Sequence, residues 1–259
     1  MSGTAARTGT EALRAEGIGK TFGRVTALNG VSMHVARGEM LGILGDNGAG
    51  KSTLMKILTG YHQPTTGQVF VDGQPVQLGS VDQARARGIE CVYQDLALVN
   101  GLSIYHNMFL NREILRRGPF RLLDHRTMRQ RAEVALANIG VNIPSVELEV
   151  GALSGGQRQA IAVARAVASN ARILLLDEPL AAMGAREAGL IIDLVERLKA
   201  RGDIAIVMIA HNYAQTLEIC DRVMLMQHGE VTYESCATET SPAELLEIVR
   251  REYRAARAG

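Results

Sequence analysis

Short apolar runs alternate along the chain with segments whose apolar residues recur at helical spacing. That is the pattern of a mixed α/β domain with a parallel sheet. Three of the runs have the length of buried strands: Met40 to Leu44, Ile173 to Leu176 and Ile204 to Ala210. They run into Gly45, into Asp177-Glu178 and into His211. Ligands of open α/β sheets bind beyond the carboxyl ends of strands, so these three clusters are expected to converge on one site. Leu13 to Glu39 reads as short strands joined by glycine-containing turns. Gln68 to Val71 and Pro75 to Leu78 continue that β-rich layer around a turn at Asp72-Gly73. Between Gln94 and Val150 the spacing becomes helical, at Ile104 to Glu113 and at Asp124 to Ile139, with a basic link from Arg116 to Arg121. This predicts a helical subdomain, about residues 95–152, inserted in a core that spans 11–240. Ser154 and Gln157 have capping-box spacing, and an amphipathic helix follows through Ala168. Ser241, Pro242 and Glu244 supply the N-cap, first-turn proline and third-position glutamate of another capped helix, over 241–259.

Composition narrows the function classes. The chain has 259 residues, enough for one large α/β domain, and shows no internal repeat. Its formal charge of +1 gives no basic footprint, which argues against a nucleic-acid partner. No apolar run approaches the roughly 18 residues of a membrane span. Met1 to Thr10 is small and polar, lacks the apolar core of a signal peptide, and is expected to be a loose tail. Cys91, Cys220 and Cys236 are odd in number and show no C-x-x-C spacing. That argues against a disulfide framework or zinc site and fits a reducing cytosol.

The candidate chemistry begins at Gly45-Asp46-Asn47-Gly48-Ala49-Gly50-Lys51-Ser52, which fits the P-loop pattern G-x-x-x-x-G-K-[ST] between a strand and a helix. Gly45, Gly48 and Gly50 allow backbone N–H groups to point inward at phosphate, and the helix beginning near Lys51 adds its dipole. Lys51 is expected on the β- and γ-phosphates and Ser52 on Mg²⁺, with Asn47, Ala49 and Thr53 completing the nucleotide-binding run. Asp177 and Glu178 follow four apolar residues: Asp177 is placed to hold Mg²⁺ through water, and Glu178 to act as general base on the attacking water. The capped helix start at Ser154-Gly155-Gly156-Gln157 offers free N–H groups and a positive dipole end. Capping alone leaves open whose phosphate it would bind.

With these motifs in this order, from about Leu13 to about Glu234, the chain resembles the ATP-binding subunits of ABC transporters. The resemblance implies a P-loop NTPase cassette: a mixed core sheet, an antiparallel β subdomain and an inserted helical subdomain. It implies hydrolysis of ATP to ADP and phosphate, with ATP and Mg²⁺ as cofactors. Leu153-Ser154-Gly155-Gly156-Gln157 matches the family signature, which faces the P-loop of a second cassette. Ser154 and Gly156 would then touch the γ-phosphate held by a partner chain. Gln94, after the strand expected over Ile89 to Tyr93, is similar to the glutamine that senses Mg²⁺ and the attacking water. His211 is similar to the switch histidine. Phe22, in Lys20-Thr21-Phe22-Gly23, aligns with the aromatic that stacks on adenine, with a core packing role as its alternative. The chain departs from the family at Gly184, where many members carry an aspartate. Around Glu178-Pro179-Leu180-Ala181-Ala182-Met183-Gly184 it resembles the ribose, xylose and fructose importers, although nucleoside importers share much of this sequence. Soluble cassettes of translation or DNA maintenance usually carry two cassettes or long coiled coils, and neither pattern appears here. The implied partners are a second copy, transmembrane permease subunits and, indirectly, an external solute-binding protein. The implied location is the cytoplasmic face of the inner membrane, as a peripheral subunit.

Overall fold

The computed structural model describes residues 10–118, 120–181 and 183–258. The expected tail lies outside these residues except for Thr10, as does Ala182. The chain begins with two antiparallel strands of 12 residues each, β1 (Glu11–Phe22) and β2 (Val25–Ala36). They replace the several short strands expected from the glycines. Gly17 and Gly30 lie inside the strands at φ +57° and +68°, and the β1–β2 register shifts between Ala15 and Ile18. A left-handed glycine admits a bulge without ending the ladder, so these two glycines twist the ribbon instead of reversing it.

β3 (Met40–Leu44) and α1 (Lys51–Leu58) follow, then β4 (Thr66–Val71), β5 (Gln74–Val76), α2 (Val81–Ala86) and β6 (Ile89–Val92). Next come α3 (Ile104–Met108), α4 (His125–Asn138), α5 (Gly155–Ala168), β7 (Ile173–Asp177) and α6 (Ala185–Arg201). The chain continues through β8 (Ala205–Ile209), α7 (Tyr213–Ile219), β9 (Arg222–Gln227), β10 (Glu230–Cys236) and α8 (Pro242–Ala258). The helix expected over Ile104 to Glu113 stops at Met108. Its end tightens, because the Phe109 N–H is shared between the Tyr105 and His106 carbonyls and Leu110 bonds to Asn107. Asn111 then turns to φ +61°. At α8 only half of the expected capping box forms. The Glu244 N–H donates to Ser241 Oγ at 3.2 Å, but the Glu244 carboxylate accepts from the Thr240 hydroxyl instead.

An antiparallel sheet of order β2-β1-β4-β5 packs on a six-stranded sheet of order β10-β9-β3-β8-β7-β6. The second is parallel except for β10. Its central strands are buried on both faces. Leu41, Ile43, Leu175 and Val207 join the core shared with α1 and the antiparallel sheet. Met40, Leu44, Leu174, Leu176 and Met208 join the core shared with α5 and α6. This double burial explains the unbroken apolar runs. Ile173 to Leu176 are all 1% exposed or less. Truncating one of these large side chains to alanine costs about 2–5 kcal/mol, so the strand that delivers Asp177 is stiff. Gly42 sets the seat of α7: a Cβ there would lie 2.4 Å from Thr216 Cγ2.

Candidate active site

Three strand ends meet, as the apolar runs predict. The Ala210 N–H donates to the Ile43 carbonyl at 3.1 Å, and the Glu178 N–H to the Ile209 carbonyl at 3.0 Å. These bonds join the ends of β3, β8 and β7, and so bring Gly45 to Ser52, His211 and Asp177-Glu178 to one edge of the sheet. Gln94 follows β6, whose Val92 pairs with Leu176, so it belongs to the same edge.

In the P-loop, Gly45 and Gly50 have φ +144° and +99°. A Cβ would meet the Met226 carbonyl oxygen at 2.2 Å from the first and the Ala27 carbonyl oxygen at 2.7 Å from the second. Only glycine fits either position. The buried Ala49 ties the loop down: its N–H bonds the Asp46 carbonyl and its carbonyl accepts from the Gly229 N–H. Asn47 and Gly48 are exposed at the rim; Ser52 is exposed and Thr53 half-buried in the first turn of α1. That turn carries no acidic residue and no side-chain cap, which leaves its N–H groups available to an anion. Lys51 is only 5% exposed and donates to the carbonyls of Gly45 at 2.6 Å and Asp46 at 3.0 Å. Burial lowers its pKa, against the opposing pull of Glu178, Asp46 and Asp177. A desolvated ammonium held by two neutral carbonyls gains strongly from a phosphate.

Asp177 is half-buried. Burial raises its pKa, the charge of Glu178 adds to the rise, and Lys51, Lys56 and His211 oppose it. A hard cation suits this crowded, oxygen-only pair of carboxylates. Among the described residues no group of three or more His, Cys, Asp or Glu could hold a metal by itself. Asp177 and Ser52 therefore fit Mg²⁺, which needs few protein oxygens when phosphates complete its shell. Glu178 occupies φ +51°, a conformation that costs a non-glycine residue about 1–3 kcal/mol. Its carboxylate Oε1 lies 2.5 Å from His211 Nε2. The pair borders a cavity of about 400 Å³ lined also by Leu180, Met183, Ala188 and Thr216.

Gln94 is exposed at the start of a loop anchored on both sides. Tyr93 OH donates to Thr59 Oγ1 at 3.1 Å. Arg165, from α5, donates to the Leu96 and Ala97 carbonyls at 2.7 and 2.9 Å. Phe22 is 43% exposed at the end of β1, so it is not a core residue. His62 stands edge-on to its ring at 5.2 Å, and Lys20 Nζ lies 5.0 Å from its centroid.

The helix start at Ser154 forms the complete capping box. Gln157 N–H donates to Ser154 Oγ at 3.3 Å, and Ser154 N–H donates to Gln157 Oε1 at 3.0 Å. Among the described residues no hydrogen bond joins Ser154 to Gln157 with the P-loop. The outside partner of this helix start is Glu187 of α6, which accepts from the buried Gly156 N–H at 3.2 Å. Gly184 is the N-cap of α6 and offers no side-chain cap. Sequence reasoning passed over Arg165 and Glu187. Arg165 had a signal, as the lone charge in the apolar stretch Ala160 to Ala168. Glu187 had a weaker one, three residues after a glycine N-cap.

A glycine loop with a buried lysine, a strand-end Asp-Glu pair and a histidine just after the neighbouring strand make this a P-loop ATPase fold with the site geometry of a cassette. The family model for ABC transporters matches residues 28–181, and the chain belongs to that family as an ATP-binding cassette. It is 41% identical over 240 residues to a xylose/arabinose import ATP-binding protein of Sulfolobus acidocaldarius, covering 93% of this chain and 94% of that protein. It is 42% identical over 222 residues to a fructose import ATP-binding protein of Rhizobium meliloti, covering 84% and 85% of the two. Among solved structures it is similar to a dimeric ATP-binding cassette in a post-hydrolysis state bound to ADP and Pi. The TM-score is 0.72 at 27% identity, covering 87% of this chain and 98% of that one. Among the described residues no helix is long and apolar enough to cross a membrane.

Proposed function

We propose that this chain is the ATP-hydrolysing subunit of a sugar importer, coupling ATP binding and hydrolysis at a dimer interface to separate transmembrane permease subunits. The observation that carries the hydrolytic reading is the Glu178–His211 contact, beyond the ends of the two strands that follow the P-loop strand in the sheet. In this reading Phe22 stacks on adenine, and the N–H groups from Gly45 through Thr53, with the Lys51 ammonium, hold the phosphates. Ser52, Asp177 and Gln94 hold Mg²⁺, which when bound neutralises charge on the β- and γ-phosphates. Glu178 takes a proton from water, and His211 holds the Glu178 carboxylate in place. The water oxygen bonds to the γ-phosphorus as the bridge to ADP breaks, releasing ADP and phosphate. Ser154, Gly155, Gly156 and Gln157 face the γ-phosphate held by a second copy. One complete set of motifs then makes two equivalent sites in a homodimer.

The sugar reading is supported by relatives named for import of xylose or arabinose and of fructose. With a permease as its membrane anchor, the subunit works at the cytoplasmic face, and a solute-binding protein outside selects the cargo. The test is co-purification with its permease, reconstitution into vesicles and addition of binding protein loaded with a pentose or with fructose. ATP hydrolysis should rise severalfold over the unloaded binding protein. Stimulation by nucleosides alone would overturn the sugar reading.

A further inference from the structure

The helix start at Ser154 already holds an anion, and the chain supplies it. The capping box consumes the Gln157 N–H and leaves the amides of Gly155 and Gly156 for another acceptor. Glu187 takes that position. Its Oε1 accepts from the Gly156 N–H at 3.2 Å, from a position 31 residues further along the chain. The Gly156 amide, with the Ser154 hydroxyl and the amides of Gly184 and Gly155 nearby, holds this carboxyl below its ordinary pKa. The side chain lies close over both glycines: a Cβ on Gly156 would be 3.0 Å from Glu187 Cβ, and one on Gly155 would be 3.6 Å from Oε1.

Ser154 and the Gly156 amide are also the donors that the proposed dimer turns toward the γ-phosphate of a partner copy, and the role of Glu187 rests on that two-copy reading. One set of N–H groups cannot serve a carboxylate and a phosphate at once, and two anions at one helix start repel each other. We propose that Glu187 is an anionic latch on the signature, closed in the separated cassette and displaced by the γ-phosphate when a second copy docks. A nucleotide without a γ-phosphate cannot displace it, so the latch makes docking selective for ATP. After hydrolysis the freed donors return to Glu187, which favours separation.

The test uses Glu187→Gln and Glu187→Ala, each in the Glu178→Gln background, and measures the monomer–dimer dissociation constant by sedimentation in saturating MgATP. Releasing one anion from a helix terminus is worth roughly threefold, and two symmetric sites make that about tenfold tighter dimerisation. A second readout needs no dimer: the Gly156 amide resonance, titrated with inorganic phosphate in the monomer. It should move in both Glu187 variants at concentrations that leave the Glu187 parent unmoved. Equal or weaker dimerisation in two folded variants, with an equally inert Gly156 amide, would make Glu187 a mere clamp and overturn the latch. If the Glu178→Gln parent stays monomeric, the two-copy reading is what fails, and the amide titration then shows only whether Glu187 keeps phosphate off this helix start.

Discussion

Replacing Glu178 with glutamine isolates one proton acceptor and changes little else. The Glu178 N–H to the Ile209 carbonyl is a backbone bond and persists. Gln keeps an oxygen at the position 2.5 Å from His211 Nε2, and it inherits the same φ of +51°. Folding stability should therefore shift by less than about 1 kcal/mol. The chemical step should suffer far more. Loss of a positioned general base costs about 10²- to 10⁴-fold, which is about 3–5.5 kcal/mol of barrier. Single-turnover hydrolysis, with enzyme in excess over ATP, reads that step without product release. His211→Ala supplies a second constraint. If His211 works by holding Glu178, then its loss should slow the parent by about tenfold or more and add little once Glu178 is gone. The double-mutant cycle should show coupling of at least about 1.4 kcal/mol. A Glu178→Gln variant that keeps a tenth of the parent rate, or two effects that simply multiply, would refute the assignment.

The same site carries two more expected outcomes. The folded-state pKa of Asp177 is raised above its ordinary value of 3.8, so in the window above 3.8 the folded chain binds more protons than the unfolded chain and stability falls as pH rises through it. Charging Asp177 therefore costs the fold, so Asp177→Asn should melt higher than the parent at pH 7 without nucleotide, with a gain that shrinks on acidification, while Mg²⁺-dependent hydrolysis is lost; scanning calorimetry at two pH values checks this, and a lower melting temperature at pH 7 contradicts it. Phe22→Ala should weaken ATP binding by about 1–3 kcal/mol, the range for a base stacked on an aromatic ring, and leave inorganic tripolyphosphate binding unchanged; titration calorimetry with both ligands separates the two, and an equal loss for both would remove Phe22 from the base site.

The site was legible where its residues come directly after strands buried on both faces. Ile173 to Leu176 announces both a central strand and the place where its polar successors must sit, and the same holds for Met40 to Leu44. Legibility failed where a local signal has two structural outcomes. A glycine such as Gly17 fits a turn and a bulge equally well, and only pairing with β2 and β4 selects the bulge. The Ile104 segment keeps its helical spacing past Met108, yet Asn107 is wholly buried and uses its side chain to bind the Val99, Leu102 and Ser103 carbonyls. Those are tertiary demands that spacing does not carry. Glu187 and Arg165 were missed for the same reason, since their partners lie 31 residues away for the first and 68 and 69 residues away for the second.

The grip of Arg165 on the Leu96 and Ala97 carbonyls makes α5 a lever. Its far end is the Ser154 cap, 11 residues and about 16 Å along the axis at 1.5 Å per residue. Burial of Ile161, Val163 and Ala164 leaves the shaft little room to bend. A shift of the loop after Gln94 would therefore reach Ser154 along a buried shaft. In a pair of such chains each lever would have its handle beside one nucleotide and its tip against the other, so the two sites would keep time mechanically.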